Sequence, residues 1–343
     1  MINYLQAFYC GQLVRRLPID LKFMRWRDQH KGKTKGHQDE ECVGLATDTE
    51  LVRIGVRRTR SEDSDDPVTR ANVYTHQLNL NDLLDVAISV LPADAFALLM
   101  IVHHDIYEGD EDEFSCGGAY GGSRIAIVST ARYHPSLDDL QEVDRAHGWP
   151  ASHCASYVDE ICNLHASDIF LGSKRRARPT RSGQIHVSAI LDPNDSLLNS
   201  TSTKGKVCRP LQEAVRAHTR HHLACQSPMS SPELISLHLF RICRTASHEL
   251  GHCFGLDHCV YKACVMQGTA SLAEDNRQPP YLCPVCEAKM GRAMTQGTGN
   301  VTEWKLMRHL ALREYSAQHG FGFAALSAWT QVILEDLDGE IAK

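Results

Sequence analysis

Residues 248–258 read His-Glu-Leu-Gly-His-Cys-Phe-Gly-Leu-Asp-His, and this H-E-x-x-H-x-x-G-x-x-H spacing constrains the chain more than any other feature. On a helix, His248 and His252 stand one turn apart on the same face, close enough for both imidazoles to bind one Zn2+. Glu249 is offset by one residue, which sets its carboxylate beside the metal and not on it. There it can take a proton from water and deliver it to a leaving amine. Gly255 tolerates the left-handed conformation that ends a helix, so the chain can turn back and supply His258 as a third ligand. Three protein ligands leave one position open, as a catalytic zinc requires. Ser231 as N-cap and Pro232 in the first turn open this helix, which is expected to run towards Leu256. Ile235, Leu239, Ile242, Cys243, Ala246, Leu250 and Cys253 share one apolar face, and Arg244, Thr245, His248 and His252 lie away from it.

A second cluster follows directly: Cys259, Cys264, then Cys283-Pro284-Val285-Cys286. Two pairs of thiolates, one of them a C-x-x-C that opens a helix, suit a closed tetrahedral zinc of structural type. Because Cys259 adjoins His258, this second metal would hold the third ligand of the first in place. The chain carries 13 cysteines and 19 histidines. Its start, Met1 to Asp20, lacks a basic region leading into a continuous apolar one, so no secretory signal is read and an intracellular, cytoplasmic location is expected. There the thiols stay reduced, which favours metal ligation over disulfides.

With 343 residues the chain is long enough for one large domain or two smaller ones. No apolar run approaches the roughly 18 residues of a spanning helix, so no membrane partner is expected. Thirty-six basic against 42 acidic side chains give a net charge of -6, so no global field attracts a polyanion and no nucleic-acid partner is expected.

Arg27 to Pro67 is polar and charge-rich, with only Glu50 to Val56 alternating like a strand. It reads as a variable surface segment. Asn81 is placed to cap a helix carrying Leu83, Leu84, Val86, Ala87 and Leu91, a backing helix that stops before Pro92. Phe96 to Val102 is a continuous apolar run, expected as a strand buried on both faces and central in its sheet. An acidic loop, Glu108 to Glu113, and the glycines 117, 118, 121 and 122 lead into a second strand, Arg124 to Ser129. Residues 173–231 read as insertion-like loops with one short strand in Gln184 to Leu191. Cys283 to Met294, Trp304 to Ser316 and Phe323 to Leu337 look helical.

From His248 to Cys286 the chain resembles the archaemetzincins, in the long zinc motif, the cysteine after its third histidine, Cys264-Val265-Met266 and the distal CPVC. The resemblance continues upstream in HHDIYEGDEDEFSCGGAYGGSRIAIVSTARY. It implies that Met266 lies in a turn beneath the metal. Sixteen residues separate Met266 from Cys283, one fewer than the family spacing, which leaves the geometry of the four-cysteine site open. The resemblance also implies an α+β fold of metzincin (zincin) type. This has a mixed twisted sheet with an antiparallel edge strand, a backing helix, the active-site helix and a smaller, mostly helical C-terminal subdomain. The corresponding division is an N-terminal segment over 1–67, a catalytic subdomain over 68–256 and a C-terminal subdomain over 257–343. Two Zn2+ per chain follow, one catalytic and one structural. The activity implied is a zinc metallopeptidase acting on short peptides, from the amino terminus. Its peptide substrate would lie antiparallel along an edge formed by Arg124, Ile125, Ala126, Ile127, Val128 and Ser129. The alternative is a metal-stabilised peptide- or protein-binding protein with little or no peptidase activity, against which an intact Glu249 argues. A zinc-ribbon nucleic-acid binder is disfavoured, since Cys283 to Arg292 offers only Lys289 and Arg292 as cations and no stacking aromatic.

The consecutive carboxylates of the acidic loop lack the alternation of a Ca2+ loop and read as a solvated segment. No Lys-Ser/Thr or helix start follows the glycines, which excludes a phosphate cradle. His218, His221 and His222 read as a solvated helical face.

Overall fold

The computed structural model describes residues 1–26, 42–59, 65–71, 73–153, 209–224, 229–297 and 299–341. The order of elements is α1 (Ile2–Phe8), β1 (Lys22–Arg25), β2 (Cys42–Ala46), β3 (Leu51–Arg58), α2 (Pro67–Arg70), β4 (His76–Asn79), α3 (Leu80–Ser89), β5 (Leu98–Val102), β6 (Ile106–Tyr107), β7 (Gly117–Tyr120) and β8 (Ile125–Ser129). Six helices follow: α4 (Arg209–Ala224), α5 (Ser231–Cys253), α6 (Leu272–Arg277), α7 (Pro284–Met294), α8 (Val301–Ala317) and α9 (Gly322–Ile341). The architecture is the mixed α+β one expected. No described helix is long and apolar enough to cross a membrane. The short strand expected within 184–191 lies outside the described residues.

Two sheets meet at one bridge. The first runs β1-β2-β3-β4-β6 and the second β5-β8-β7, while Ser115 N donates to Ile106 O (2.8 Å) and joins β6 to the approach to β7. β8 pairs parallel with β5 and antiparallel with β7, so it is the central strand of its sheet. Its run Ile-Ala-Ile-Val-Ser is buried throughout because each face meets a core. Ile125 and Ile127 pack with Leu80, Leu83 and Leu84 of α3, whereas Ala126 and Val128 pack on the side of α5. This corrects two expectations. The strand after Phe96 begins at Leu98, pairs only with β8 among the described strands and leaves Ile101 exposed, so it borders its sheet and is not central. The segment from Arg124 to Ser129 is not an edge: both sides of β8 are occupied, and Arg124 itself is left-handed (φ 61°) and precedes the strand.

Two helix starts also shift. Asn79, not Asn81, caps α3, its side chain accepting from Asp82 N (3.0 Å). Ser230, not Ser231, caps α5, with its amide (2.8 Å) and hydroxyl (2.7 Å) both donating to the Glu233 carboxylate. The polar N-terminal region is more structured than its composition suggests. β1, β2 and β3 form an antiparallel meander, with Leu45 and Ile54 in the core beneath α3. α1 lies in the other core, where Tyr4 contacts Tyr315 and Phe323 of the last two helices and the Arg308 guanidinium lies over the Phe8 ring. Trp304 Nε1 donates to Cys10 O (2.7 Å) and Arg308 Nε to Phe8 O (2.8 Å), so the two ends of the described chain share one core and packing ignores a division at residue 67.

Buried charges join the layers. The Arg132 guanidinium, fully buried, donates to Asp105 (2.9 and 2.7 Å) and to Asp66 Oδ2 (2.7 Å), tying the end of β8 to α2 and to the turn before β6. Burial alone would raise the Asp66 carboxyl, but the Thr69 hydrogen bond and Arg132 overcome this and hold it below its usual range. The folded value being the lower one, the stabilisation is present above the unfolded pKa of about 3.9 and is lost as pH falls through the folded value. Asp66→Asn is therefore expected to cost about 2–4 kcal/mol at neutral pH by urea unfolding, because part of a buried guanidinium loses its counter-charge. The gap to wild type should narrow below about pH 4, and a gap that does not change with pH would contradict this assignment.

Candidate active site

α5 is held from all sides. Every residue from Phe240 to Gly251 is buried, with β7 and β8 packed on one side and α1 and α9 on another. The polar face read from the sequence is thus not a solvent face, since Arg244 is tied to Asp275 (2.6 Å) and Thr245 Oγ1 donates to the Tyr133 hydroxyl (2.7 Å). Ile235, in the apolar stripe, is exposed one turn beyond the start of the core. The helix ends at Cys253, short of Leu256. Gly255 takes φ 79°, and the amides of Gly255 and Leu256 donate to His252 O and Gly251 O (3.0 and 3.1 Å). That turn brings His258 back towards the helix.

The three imidazoles converge. His248 Nε2 lies 3.2 Å from both His252 Nε2 and His258 Nε2. Tetrahedral zinc with Zn–N bonds of about 2.0–2.1 Å requires N···N separations of about 3.3 Å, so the spacing fits such an ion. His248 Nδ1 donates to Val265 O and His252 Nδ1 to Leu256 O, both at 2.7 Å, which leaves each Nε2 as an acceptor facing the others. Burial pushes His248 down to about 4, keeping it neutral as a ligand must be. Met266 is fully buried, and its sulfur fills the space a side chain on Gly251 would need, beneath the turn that carries both helical histidines.

The four thiols also meet: the sulfurs of Cys259, Cys264, Cys283 and Cys286 lie within 4.8 Å of one another, despite the shortened spacing before Cys283. Cys259 Sγ and Cys283 Sγ are 3.8 Å apart, close to the edge of a tetrahedron with Zn–S bonds of about 2.3 Å. Cys283 N approaches Cys264 Sγ (3.2 Å) and Cys286 N approaches Cys283 Sγ (3.5 Å), contacts that favour thiolates. Burial acts the other way and pushes the Cys264 and Cys286 thiols up, which a dication would offset. Among the described residues these are the two clusters able to hold a metal ion.

Glu249 stands beside the histidines, only 9% exposed, and its carboxylate accepts no hydrogen bond from any described residue. Burial, then Glu108 and Asp275, push it up to about 8, which suits a group that must both take and return a proton near neutrality. A Cβ on Gly117 would lie 3.1 Å from Glu249 Oε1 and 2.8 Å from Ile127 O, so β7 must be glycine where it passes the acid. β7, and not Arg124–Ser129, is the antiparallel edge strand. Cys116 O is turned towards β8, where it accepts from Ser129 N (2.9 Å), so by alternation Gly117 and Ala119 direct their amides away from β8 into a cleft of about 1060 Å³. Gln278, which no local pattern in the sequence marks, is buried behind the site and donates from Nε2 to Val265 O (2.8 Å) and Gln267 O (2.5 Å). It thereby fixes the carbonyl that orients His248.

A mixed sheet, a helix carrying paired histidines and a glutamate, and a returning third histidine together define a zincin-type site. Residues 226–292 match the model of peptidase family M54. The chain is 51% identical to archaemetzincin-2 of Homo sapiens over 223 residues, 64% of this chain and 44% of that one. It is 41% identical to the archaemetzincin of Methanopyrus kandleri over 61 residues, 18% of this chain and 35% of that one. The crystal structure of the Methanopyrus kandleri archaemetzincin aligns with 64% of this chain and 67% of its own at 20% identity and a TM-score of 0.32. The chain is thus similar to the archaemetzincins, with the match to peptidase family M54 confined to residues 226–292. It spans less than half the length of the curated relatives it matches.

The two clusters differ in what their loss should do. His252→Ala is expected to lose one metal equivalent by elemental analysis and to leave most of the thermal stability, since α5 is held by packing. Cys283→Ser should lose the other equivalent and melt at lower temperature, because ligand binding at a closed site contributes to folding. A Cys283→Ser protein with wild-type metal content and melting would show that the cysteines hold no metal.

Proposed function

We propose that this chain is a zinc-dependent peptidase that hydrolyses peptide bonds of short, extended peptides, with two zinc ions per chain. The observation that carries the reading is Glu249: a buried, unbonded carboxylate set between the free edge of β7 and three converging imidazoles. His248, His252 and His258 would hold the catalytic ion, and Cys259, Cys264, Cys283 and Cys286 the structural one. The catalytic ion supplies Lewis acidity, polarising the scissile carbonyl and lowering the pKa of water.

The chain's own residues supply the rest. Gly117 and Ala119 pair with the substrate backbone by strand addition, which holds it extended across the site. Glu249 takes the proton of the attacking water and passes it to the leaving nitrogen. Val265 O, held by Gln278, keeps His248 in the tautomer that presents Nε2, and Leu256 O does the same for His252.

Glu249→Gln keeps side-chain size and should keep both metals, while turnover of a peptide library followed by mass spectrometry should fall at least about 10²-fold. Equal turnover in the two proteins would overturn the mechanism, and failure of the wild type to cleave any peptide would leave a binding protein. Acetylated and free peptides in the same digest distinguish removal of amino-terminal residues, the mode implied by the family resemblance, from internal cleavage.

A further inference from the structure

The charge around the cleft is one-sided. Among the described residues no lysine or arginine lines it, whereas Glu108, Glu111, Asp112, Glu113, Asp257 and Asp275 do, besides Glu249. Asp275 is neutralised by Arg244, so apart from the single Asp257 the unbalanced charge is concentrated in the 108–113 segment. That segment holds five carboxylates in six residues, all five exposed. Like charges so close repel one another, and such a segment left to itself would spread into solvent.

Here it is clamped. Arg57 on β3 reaches across and donates to the main-chain carbonyls of Gly109 (3.1 Å), Asp110 (3.3 Å), Asp112 and Glu113 (3.2 Å), with its guanidinium also over the Tyr107 ring (4.1 Å) and its Nε bound to Gln77 (2.8 Å). The clamp grips the backbone and leaves the carboxylates of Glu108 and Glu111 to the cleft and solvent, while Asp112 Oδ2 accepts from Gly109 N (2.7 Å) within the turn. The side chains of Glu108 and Glu111 accept no hydrogen bond from any described residue. The acidic segment is a fixed wall of the cleft that contains the unpartnered Glu249 and the open β7 edge.

The topology sets where along a substrate this wall acts. Ser115 N is already bound to Ile106 O and Ser115 Oγ donates to Gly117 O (2.8 Å), so the open edge of β7 begins at the Gly117 amide and runs to Ala119. A peptide antiparallel to β7 passes Ala119 first and Gly117 second. Glu249 is adjacent to Gly117, so the bond attacked lies there, and the residues C-terminal to it continue towards Phe114 and the 108–113 wall. We propose that the cleft selects peptides bearing arginine or lysine within the first residues C-terminal to the cleaved bond, the cation being read by Glu108 and Glu111 on the clamped wall. This rests on the peptidase reading above for the identity of the cleaved bond, but the charge preference is a property of binding and can be measured without cleavage.

Peptides of one sequence, with lysine, glutamine or glutamate at the first or second position after the cleaved bond, provide the test. With the zinc-loaded wild type, kcat/KM for the lysine peptide should exceed that for the glutamate peptide by at least about tenfold at low salt, and the ratio should shrink as ionic strength rises. The double variant Glu108→Gln/Glu111→Gln should bring the ratio towards one. Both side chains are exposed and unbonded, so the variant should fold, which circular dichroism verifies. In parallel, fluorescence anisotropy with zinc-loaded Glu249→Gln should give tighter binding of the lysine than of the glutamate peptide. Cleavage without charge discrimination, or a ratio that the double variant leaves unchanged, overturns the proposal and leaves the peptidase reading intact. Charge-selective binding to Glu249→Gln without any cleavage by the wild type overturns the hydrolytic reading and supports this one. Absence of both overturns both.

Discussion

Imidazole nitrogens that each present a lone pair cannot rest 3.2 Å apart around a common point unless a cation lies between them or a proton is shared. Much of the site is arranged to impose this convergence. The Nδ1 atoms of His248 and His252 are committed to backbone carbonyls, and burial disfavours protonation of the rings. The helix beneath them is enclosed by a sheet on one side and terminal helices on another, so the histidines cannot relax apart by moving their backbone. Three neutral imidazoles so arranged fit a dication, which is how a site selects a metal by geometry and donor type together.

The third ligand is held differently. His258 lies past the end of α5 and is exposed, its ring resting over the bare backbone of Gly268. The Gly255 turn sets it on one side. On the other, Cys259 N donates to Met266 O (2.7 Å), and Cys259 Sγ belongs to the thiol cluster. Met266 in turn lies against Gly251 between the helical histidines, and its neighbour Val265 supplies the carbonyl that orients His248. The loop from 258 to 267 is therefore a single device in which a site able to bind metal structurally positions part of the one able to use it. Gln278 and Arg244, linked through Asp275 and the Gln278 carbonyl, extend that device to α6, the wall of the cleft opposite β7.

The residues of the two converging clusters are legible in the sequence because their geometry is local. A separation of four on a helix, a glycine at its end and a C-x-x-C at the start of another helix each constrain side chains that are close in sequence. Strand roles were less accessible, because pairing is decided by distant partners. The run from Phe96 to Val102 is as apolar as a central strand, yet it borders its sheet; the run from Ile125 to Val128 is the one buried on both faces. β7, with its sequence Gly-Gly-Ala-Tyr, carries almost no periodic signal, since Ile127, Glu249 and Leu80 leave no room for side chains at Gly117 and Gly118. Likewise nothing within residues 2–9 announces that they complete a core built by helices some 300 positions later; only the hydrogen bonds from Trp304 and Arg308 reveal it.

Gly117 must be bare for β7 to pass Glu249, so the edge beside the acid is main chain alone. Main-chain pairing aligns any extended peptide and discriminates little among side chains. Selectivity must then come from what surrounds the edge. Across the cleft from β7 are residues 268–272, small or uncharged, with Asp275 behind them already paired. That leaves the 108–113 hairpin, rigid through Arg57 and charged through its exposed carboxylates, as the element of the cleft with chemical character of its own. The Arg57 clamp uses carbonyls, so the charges of Glu108 and Glu111 can be varied by substitution without loosening the wall that carries them, whereas Asp112 also closes the turn through Gly109 N.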